Sequence, residues 1–399
     1  MKRIILITVS VLLLLIVFAA WRLLGSATAF QREKYDLYIR TGMNYDQLMA
    51  LMEKDTVLKS PAFFGLVAGR LDYKQNIKAG KYEIPKGMGL LSIVRMLRNG
   101  RQTPVHFTIG KLRTKEGLAG MVGRKLECDS LGMLRFSENN DSLAAFGVDT
   151  NTFTTLILPN TYTYFWNITP SGVLKKMADY SRAWWTTERV QLAQDKGLTP
   201  VQAYIVASIV EEETNVPADK GNIASVYLNR LAKGMKLAAD PTVKYSMRNF
   251  ELKHIYSNYL KVESPYNTYQ HTGLPPGPIC TPSEQTLLAV LNAPKTDYLF
   301  FAAKPDFKGT SFAATFKEHL ENANAYRNEL HAQEAIRDSL EAIKNGKSVQ
   351  GVADSSKGGQ PAGQAKKGQP LHSEKAAAGN SHNVKKKPAG TAKHTKKHH

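Results

Sequence analysis

Residues 200 to 214 read P-V-Q-A-Y-I-V-A-S-I-V-E-E-E-T. From Pro200 to Val210 the run is almost wholly apolar and carries the small residues Ala203, Ala207 and Ser208, a pattern that predicts a helix buried on most sides. Glu211, Glu212 and Glu213 then fall at its C-terminal end. The negative pole of the helix dipole and the neighbouring carboxylates both disfavour ionisation there, so a raised carboxyl pKa is expected in the run. Such a place suits an acid kept protonated near neutral pH, while a solvated helix end is the competing reading; the pattern alone leaves both open. Residues two apart on a regular helix point about 200° apart, so Glu211 and Glu213 cannot face one site together. A single working glutamate is the economical reading.

With 399 residues, 43% of them hydrophobic, the chain has room for two or three domains and a sizeable core. Its net charge of +19 suggests nucleic acid until the charge is located. Much of it lies beyond Gly346, where Lys366-Lys367, Lys385-Lys386-Lys387 and Lys396-Lys397 recur among Gly, Ala, Pro and His. Only Asp354 and Glu374 oppose them. A disordered basic tail is expected over residues 346–399, and no nucleic-acid partner. Cys128 and Cys280 have no metal-ligand spacing; two free buried thiols are expected, with a disulfide between them in an oxidising compartment as the alternative. No cofactor or metal is expected.

Lys2 and Arg3 precede an unbroken apolar run from Ile4 to Trp21, which Leu23 and Leu24 extend to the ~20 residues that span a bilayer. A single transmembrane helix with a short cytoplasmic stub is therefore expected over residues 1–25, with the following chain translocated. Ala27-Thr28-Ala29 resembles a cleavage site, so a removed signal peptide is the alternative.

Residues 30–130 read as short mixed elements. Tyr38-Ile39 with Arg40-Thr41-Gly42 is a strand and turn, Asn44 to Glu53 a helix, Ala79 to Pro85 a strand, and Gly89 to Leu97 a helix ended by Asn99-Gly100. A similar strand, turn and helix follows over Val105 to Leu126, which raises a duplication. The order of these elements resembles the LysM fold, whose family role is binding peptidoglycan strands. Leu156 to Tyr164 reads as an apolar strand entering an aromatic, hydroxyl-rich turn; a sugar site and a packed aromatic cluster both fit. A long helical pattern runs from Ser171 to Lys196.

Beyond the glutamates, Val216-Pro217-Ala218 starts a helix that stops at Gly234 and carries Asn229 and Arg230 as its strongly polar pair. Asp240-Pro241-Thr242 reads as an N-cap with Pro in the first turn, and Thr281-Pro282-Ser283-Glu284 as a capping box without chemistry. Between them Ser264 to Ile279 is a rigid, turn-dense loop containing Tyr266-Asn267-Thr268-Tyr269 and Gly273-Leu274-Pro275-Pro276-Gly277; a structural Ω-like loop would look similar, but the Tyr-Asn-Thr-Tyr lead-in favours a binding wall. His319 follows Phe312 near a strand-to-helix change, where a lone histidine is more often structural.

Six motifs in one order, A-S-I-V-E-E-E-T (207–214), V-Y-L-N-R-L (226–231), D-P-T-V-K-Y (240–245), Y-N-T-Y (266–269), G-L-P-P-G-P-I (273–279) and F-x6-H (312–319), closely resemble the MltG-type, YceG-like endolytic murein transglycosylases. The resemblance implies an α+β protein with one transmembrane helix, a LysM-like module over 30–130, a YceG-like catalytic domain of mixed α/β content over 140–330, and a terminal helix over 331–345. It implies an inner-membrane enzyme, single-pass, facing the periplasm. That enzyme would cut the MurNAc-GlcNAc bond inside nascent glycan strands, leave 1,6-anhydro-MurNAc ends, and so terminate elongation.

The second glutamate of the family's E-x-E-T falls on Glu213, which becomes the single general acid and base, with Glu211 and Thr214 in support. Asn229, Arg230, Asp240, Tyr266, Asn267, Thr268, Tyr269, Gly273, Pro275, Pro276 and His319 become candidates for holding sugars. Peptidoglycan strands and the bilayer are the implied partners, with peptidoglycan synthases as candidates. One departure stands out: the family pattern has Glu-Gly where this chain has Thr154-Thr155, and Asp where it has Asn160. One acid suffices for such a reaction because the muramoyl C6 hydroxyl is an internal nucleophile, whereas hydrolases generally need two carboxylates. A hydrolysing muramidase and a non-catalytic murein-binding scaffold are the alternatives.

Overall fold

The computed structural model describes residues 2–252 and 254–344, apart from the side chains of residues 2, 15, 16, 18–24, 342 and 343. The tail expected over 346–399 lies outside the described residues. The chain is an α+β protein whose described strands form three separate antiparallel pairs. It divides into two compact units, one of Met1–Phe250 with Leu260–Thr296, the other of Glu251–Tyr259 with the chain from Asp297 onward.

The first unit opens with helix α1 (Lys2–Leu24), whose described side chains, Ile5, Leu12 and Leu14 among them, are exposed. Among the described residues no helix is long and apolar enough to cross a membrane. Much of the expected span, residues 15, 16 and 18–24, has side chains outside that description.

Next comes a βααβ arrangement: β1 (Lys34–Ile39), α2 (Tyr45–Lys54), α3 (Pro61–Arg70) and β2 (Gly80–Pro85). Strand β1 runs antiparallel to β2, with Lys34 opposite Pro85 and Ile39 opposite Gly80. The period of two along β1 sends Tyr35, Leu37 and Ile39 into the core, where Phe64, Tyr73 and Tyr82 are also buried. Asn44 and Gln47 close a reciprocal capping box at the start of α2. Helix α3 escapes the sequence pattern because Gly65 and Gly69 lower its propensity; burial of Phe64, Val67 and Ala68 on one face forms it regardless. Helix α4 (Leu90–Asn99) buries Leu90, Ile93, Val94 and Leu97 and ends at Gly100, whose φ of 68° is open to glycine at little cost.

The next segment does not repeat this module. Strand β3 (Val105–Ile109) is followed by α5 (Lys115–Lys125), α6 (Ser130–Ser137) and α7 (Asn140–Ala144), then pairs with β4 (Asn160–Tyr164). The strand expected from Leu156 begins only at Asn160; Phe153–Leu156 is a turn of 3-10 helix instead. Pro159 lacks an N–H to donate, so the ladder starts after it. Tyr162 and Tyr164 are buried beside Phe107, and their hydroxyls donate to the Leu158 and Val173 carbonyls. Of the two readings of this stretch, these rings match the packed aromatic cluster.

The helical pattern over 171–196 is two helices, α8 (Pro170–Trp184) and α9 (Thr187–Asp195). Thr186 interrupts it by capping α9, accepting from the Arg189 amide. Helix α10 (Pro200–Glu213) starts from a Thr199–Gln202 capping box and buries every residue from Ala203 to Val210. Full burial of a side chain such as Ile209 or Val210 contributes about 1.5–3 kcal/mol, so packing overrides the modest helix propensity of its β-branched residues. Around α10 pack α11 (Pro217–Ala232), α12 (Asp240–Ser246) and α13 (Glu284–Leu291).

Two expected caps differ. Ala239, not Asp240, occupies the N-cap of α12 and makes no side-chain cap bond, because the Asp240 carboxylate is taken by a tyrosine described below. Ser283, not Thr281, caps α13 by accepting from the Thr286 amide. Thr281 instead accepts from the Leu112 amide at 2.8 Å, which ties this segment to the loop after β3. Cys128 and Cys280 are free thiols, Cys280 fully buried and Cys128 partly so.

The second unit contains the hairpin β5 (Phe300–Ala303) and β6 (Thr310–Ala313), followed by α14 (Phe316–Lys344), which runs through residue 330 without a break.

Candidate functional site

The three glutamates leave the end of α10 in different directions, as helical spacing requires. Glu211 is drawn between helices: its Oε2 accepts from Lys220 Nζ of α11 at 2.9 Å, from Ser283 Oγ at 3.0 Å, and from the Thr286 hydroxyl of α13. Lys220 is itself buried, with 7% of its side chain exposed. Burial opposes ionisation of Glu211, but the hydrogen bonds from Thr286, Lys220 and Ser283 and the Lys220 charge outweigh it. The Glu211 carboxyl is thereby held below the ordinary carboxylate value, the reverse of the helix-end expectation. Glu212 turns to the other side, where Arg113 grips it with Nε at 2.9 Å and Nη2 at 3.0 Å, and Lys111 Nζ lies 3.5 Å away.

Glu213 is buried, with 7% of the residue exposed. The Tyr227 hydroxyl of α11 donates to its Oε1 at 2.9 Å. Burial pushes the Tyr227 phenol well above its ordinary pKa, so it remains a proton donor across the working range. Thr214 ends the helix: its amide reaches back to the Val210 carbonyl at 3.4 Å, and its Oγ1 accepts from the Val216 amide at 3.0 Å. That tight step turns the chain from α10 into α11 and fixes Tyr227 against Glu213.

The loop from Ser264 to Ile279 carries no regular element and is built from side-chain bonds. Asn267 is fully buried; its amide nitrogen donates to the Leu260 and Val262 carbonyls, and its oxygen accepts from the Tyr269 amide. Thr268 is buried too, bonding the Ala239 amide and the Thr242 hydroxyl. Tyr269 donates to Asp240 Oδ1 at 2.6 Å. These residues hold the loop to the start of α12. Tyr266 packs against Tyr245, with ring centres 4.7 Å apart and planes tilted by 44°, and lines a cleft. Farther on, Gly273 has a φ of 81°, Pro275 is buried and Pro276 exposed. The Ile279 amide then donates to Ser208 Oγ at 3.1 Å, docking the loop on α10 one turn before the glutamates.

The other predicted residues serve nearby joints. Asn229 donates to the Thr296 carbonyl at 2.9 Å, and Arg230 to the Leu237 carbonyl at 2.6 Å. His319 belongs to the second unit, where its ring stacks on Phe300 at 5.3 Å. Among the described residues no group of three or more His, Cys, Asp or Glu side chains could hold a metal ion.

Sequence reasoning missed Lys220, Tyr227, Arg113, Ser283 and Thr286. For two of them a signal existed: Lys220, Ile223, Ala224 and Tyr227 fall at i, i+3, i+4 and i+7, so both polar groups sit on the buried stripe of α11. Arg113 lies about a hundred positions before its partner, and nothing local announces the pairing.

A model of the YceG-like family matches residues 37–325. Over 309 residues the chain is 30% identical to an endolytic murein transglycosylase of Bacillus subtilis, a match spanning 73% of this chain and 84% of that protein. It is 27% identical over 326 residues to an endolytic murein transglycosylase of Streptococcus pneumoniae, covering 73% of this chain and 58% of the relative. Among solved structures it is similar to a YceG-like protein of Listeria monocytogenes, at 25% identity and a TM-score of 0.49, covering 73% of this chain and 99% of that one.

Proposed function

The chain belongs to the YceG-like family, and from that membership we infer that it is an endolytic murein transglycosylase in which Glu213 is the single acid and base. The observation that carries the choice of residue is the buried, hydroxyl-held setting of Glu213 at the end of α10. Glu213 is buried there with 7% of the residue exposed, and the Tyr227 hydroxyl donates to its Oε1 at 2.9 Å, which orients the carboxyl without replacing its proton. A hydroxyl donor can hold such a carboxyl in one orientation while it gives a proton and takes one back.

In the proposed reaction protonated Glu213 gives its proton to the oxygen of the MurNAc-GlcNAc bond as the C1–O bond breaks. The C6 hydroxyl of the same muramoyl residue then bonds to C1, and the Glu213 carboxylate takes the hydroxyl proton. The products are a new GlcNAc 4-hydroxyl and a 1,6-anhydro-MurNAc end, and the enzyme returns to its starting state. Tyr227 fixes the carboxyl orientation and stabilises the negative charge that appears between the two transfers. Tyr266 is positioned to pack on a sugar face. Cutting within nascent strands would end their elongation.

The wider assignment has separate supports. The apolar run from Ile4 to Trp21, set in a 23-residue helix, supports a membrane anchor with the rest of the chain on the periplasmic side of the inner membrane. The βααβ unit of β1 to β2 supports a LysM-like glycan-binding module within 30–130, ahead of a catalytic domain over 140–330. Mass spectrometry of glycan strands digested by the full chain tests the function: anhydro ends support a transglycosylase, reducing ends a muramidase, and uncut strands a scaffold.

A further inference from the structure

The first unit contains a cleft of about 200 Å³ whose walls come from four separated segments: Arg113 and Lys115, Thr150 to Thr154, Tyr245 to Arg248, and Ser264 with Tyr266. Its lining holds three cations and no carboxylate. The acids that pair with these cations stand outside the lining: Glu212 with Arg113, Glu138 with Lys115 at 3.1 Å, Glu116 with Arg248 at 2.8 Å. Glu138 and Glu116 are each 47% exposed, so both of those pairs are solvent-screened and exchangeable.

The walls are fixed in place. Arg248 has a left-handed φ of 51°, a conformation few large side chains adopt, and such positions are kept where the surroundings impose them. Arg113 sits over the Phe250 ring at 5.2 Å while gripping Glu212, the neighbour of Glu213. The Tyr266 hydroxyl donates to Asn151 Oδ1 at 3.4 Å, tying two walls together. The cleft is therefore a preformed, cationic, hydroxyl- and amide-lined recess joined through Arg113 to the residue next to the proposed acid.

Resting on the transglycosylase reading for its choice of ligand, we propose that this cleft binds the carboxylate-bearing peptide carried by the muramoyl residues of murein. The sugar rings are neutral, and a strand stripped of its peptides presents a single lactyl carboxylate per muramoyl residue, fewer than the three cations of the cleft. A peptide with several carboxylates matches them, and guanidinium groups bind carboxylates through paired hydrogen bonds. Thr150, Asn151 and Ser264 supply partners for its amides. The cleft thus favours strands that still carry their peptides.

The test is titration of the full chain with the synthetic N-acetylated tetrapeptide Ac-L-Ala-γ-D-Glu-meso-diaminopimelyl-D-Ala, which carries three carboxylates and has its N-terminal amine blocked as in murein, followed by NMR or calorimetry. Saturable binding is expected, with Arg248→Ala and Lys115→Ala each weakening it about tenfold, as loss of a charge-assisted hydrogen bond does. Arg248→Lys should regain part of the loss, and near-UV circular dichroism reports whether each variant is folded. The same peptide with its carboxylates amidated is expected not to bind. Absence of saturable binding, equal binding of the amidated peptide, or affinity unchanged in both alanine variants overturns the proposal. These readouts need no turnover, so they are separable from the cleavage assay: a chain that binds the peptide but makes no anhydro ends keeps the cleft and loses the transglycosylase.

Discussion

The Tyr227 hydroxyl donates to Glu213 Oε1 across 2.9 Å, and both residues are almost wholly shielded from water. A hydrogen bond to a group that becomes charged during reaction is worth about 1.5–3 kcal/mol. Tyr227→Phe keeps the ring and removes the donor. It should lower kcat roughly 10- to 100-fold with little change in KM, because the bond matters most when Glu213 is ionised. Steady-state kinetics on isolated strands measure the split; a rise in KM alone would assign Tyr227 to substrate binding instead.

Lys220 and Glu211 form a buried pair that joins α10, α11 and α13 through Ser283 and Thr286. Lys220→Met leaves a carboxylate buried without its cation and should cost about 3 kcal/mol in chemical denaturation. Adding Glu211→Gln should return most of that loss, since a neutral amide can still receive the Ser283 and Thr286 hydroxyls.

The same pair sets an acid limit on stability. The folded pKa of Glu211 lies below its ordinary value of 4.5, so the unfolded chain binds the proton more readily. Its stabilising contribution is therefore complete above the unfolded value and is lost as pH falls through the lower folded value. Wild-type unfolding free energy should fall across that acid window, and the fall should be shallower in Glu211→Gln. Equal slopes would mean that Glu211 gains nothing from its partners.

Gly277 presses on the chain before the 3-10 turn. A Cβ there would stand 2.1 Å from the Asn151 carbonyl oxygen and 2.8 Å from its carbon, both backbone atoms that cannot swing aside. Gly277→Ala should destabilise the fold by about 1–3 kcal/mol and displace the Tyr266 wall. A melting temperature equal to wild type would show that the loop moves freely past Asn151.

How much of this could be read from the sequence follows the range of the forces involved. The buried character of α10 and its glutamate end came from a run of contiguous residues, and so did the Asn44 cap of α2 and the Gly100 stop of α4. The glycine-bearing α3 depends on tertiary packing that no local window contains, whereas the late start of β4 follows from Pro159, a local signal the strand reading passed over. At the site, helical spacing already separated Glu211 from Glu213, but the partners that give each its character lie on α11, α13 and the loop after β3. The expected rise in carboxyl pKa fails at Glu211 for that reason: the dipole argument counts the helix's own charges and omits Lys220. Asn267 and Thr268 looked like sugar contacts, yet buried turns need such residues to satisfy their own backbone.

The central claim is tested most directly by Glu213→Gln, assayed by mass spectrometry of the ends left on glycan strands. Glutamine can still accept from Tyr227, so the variant should fold as wild type while cleavage drops by about 100- to 10,000-fold, the usual worth of a positioned acid and base. The wild-type chain should leave 1,6-anhydro-MurNAc ends, and Glu213→Gln should leave strands uncut. Anhydro ends produced by Glu213→Gln at the wild-type rate would contradict the account.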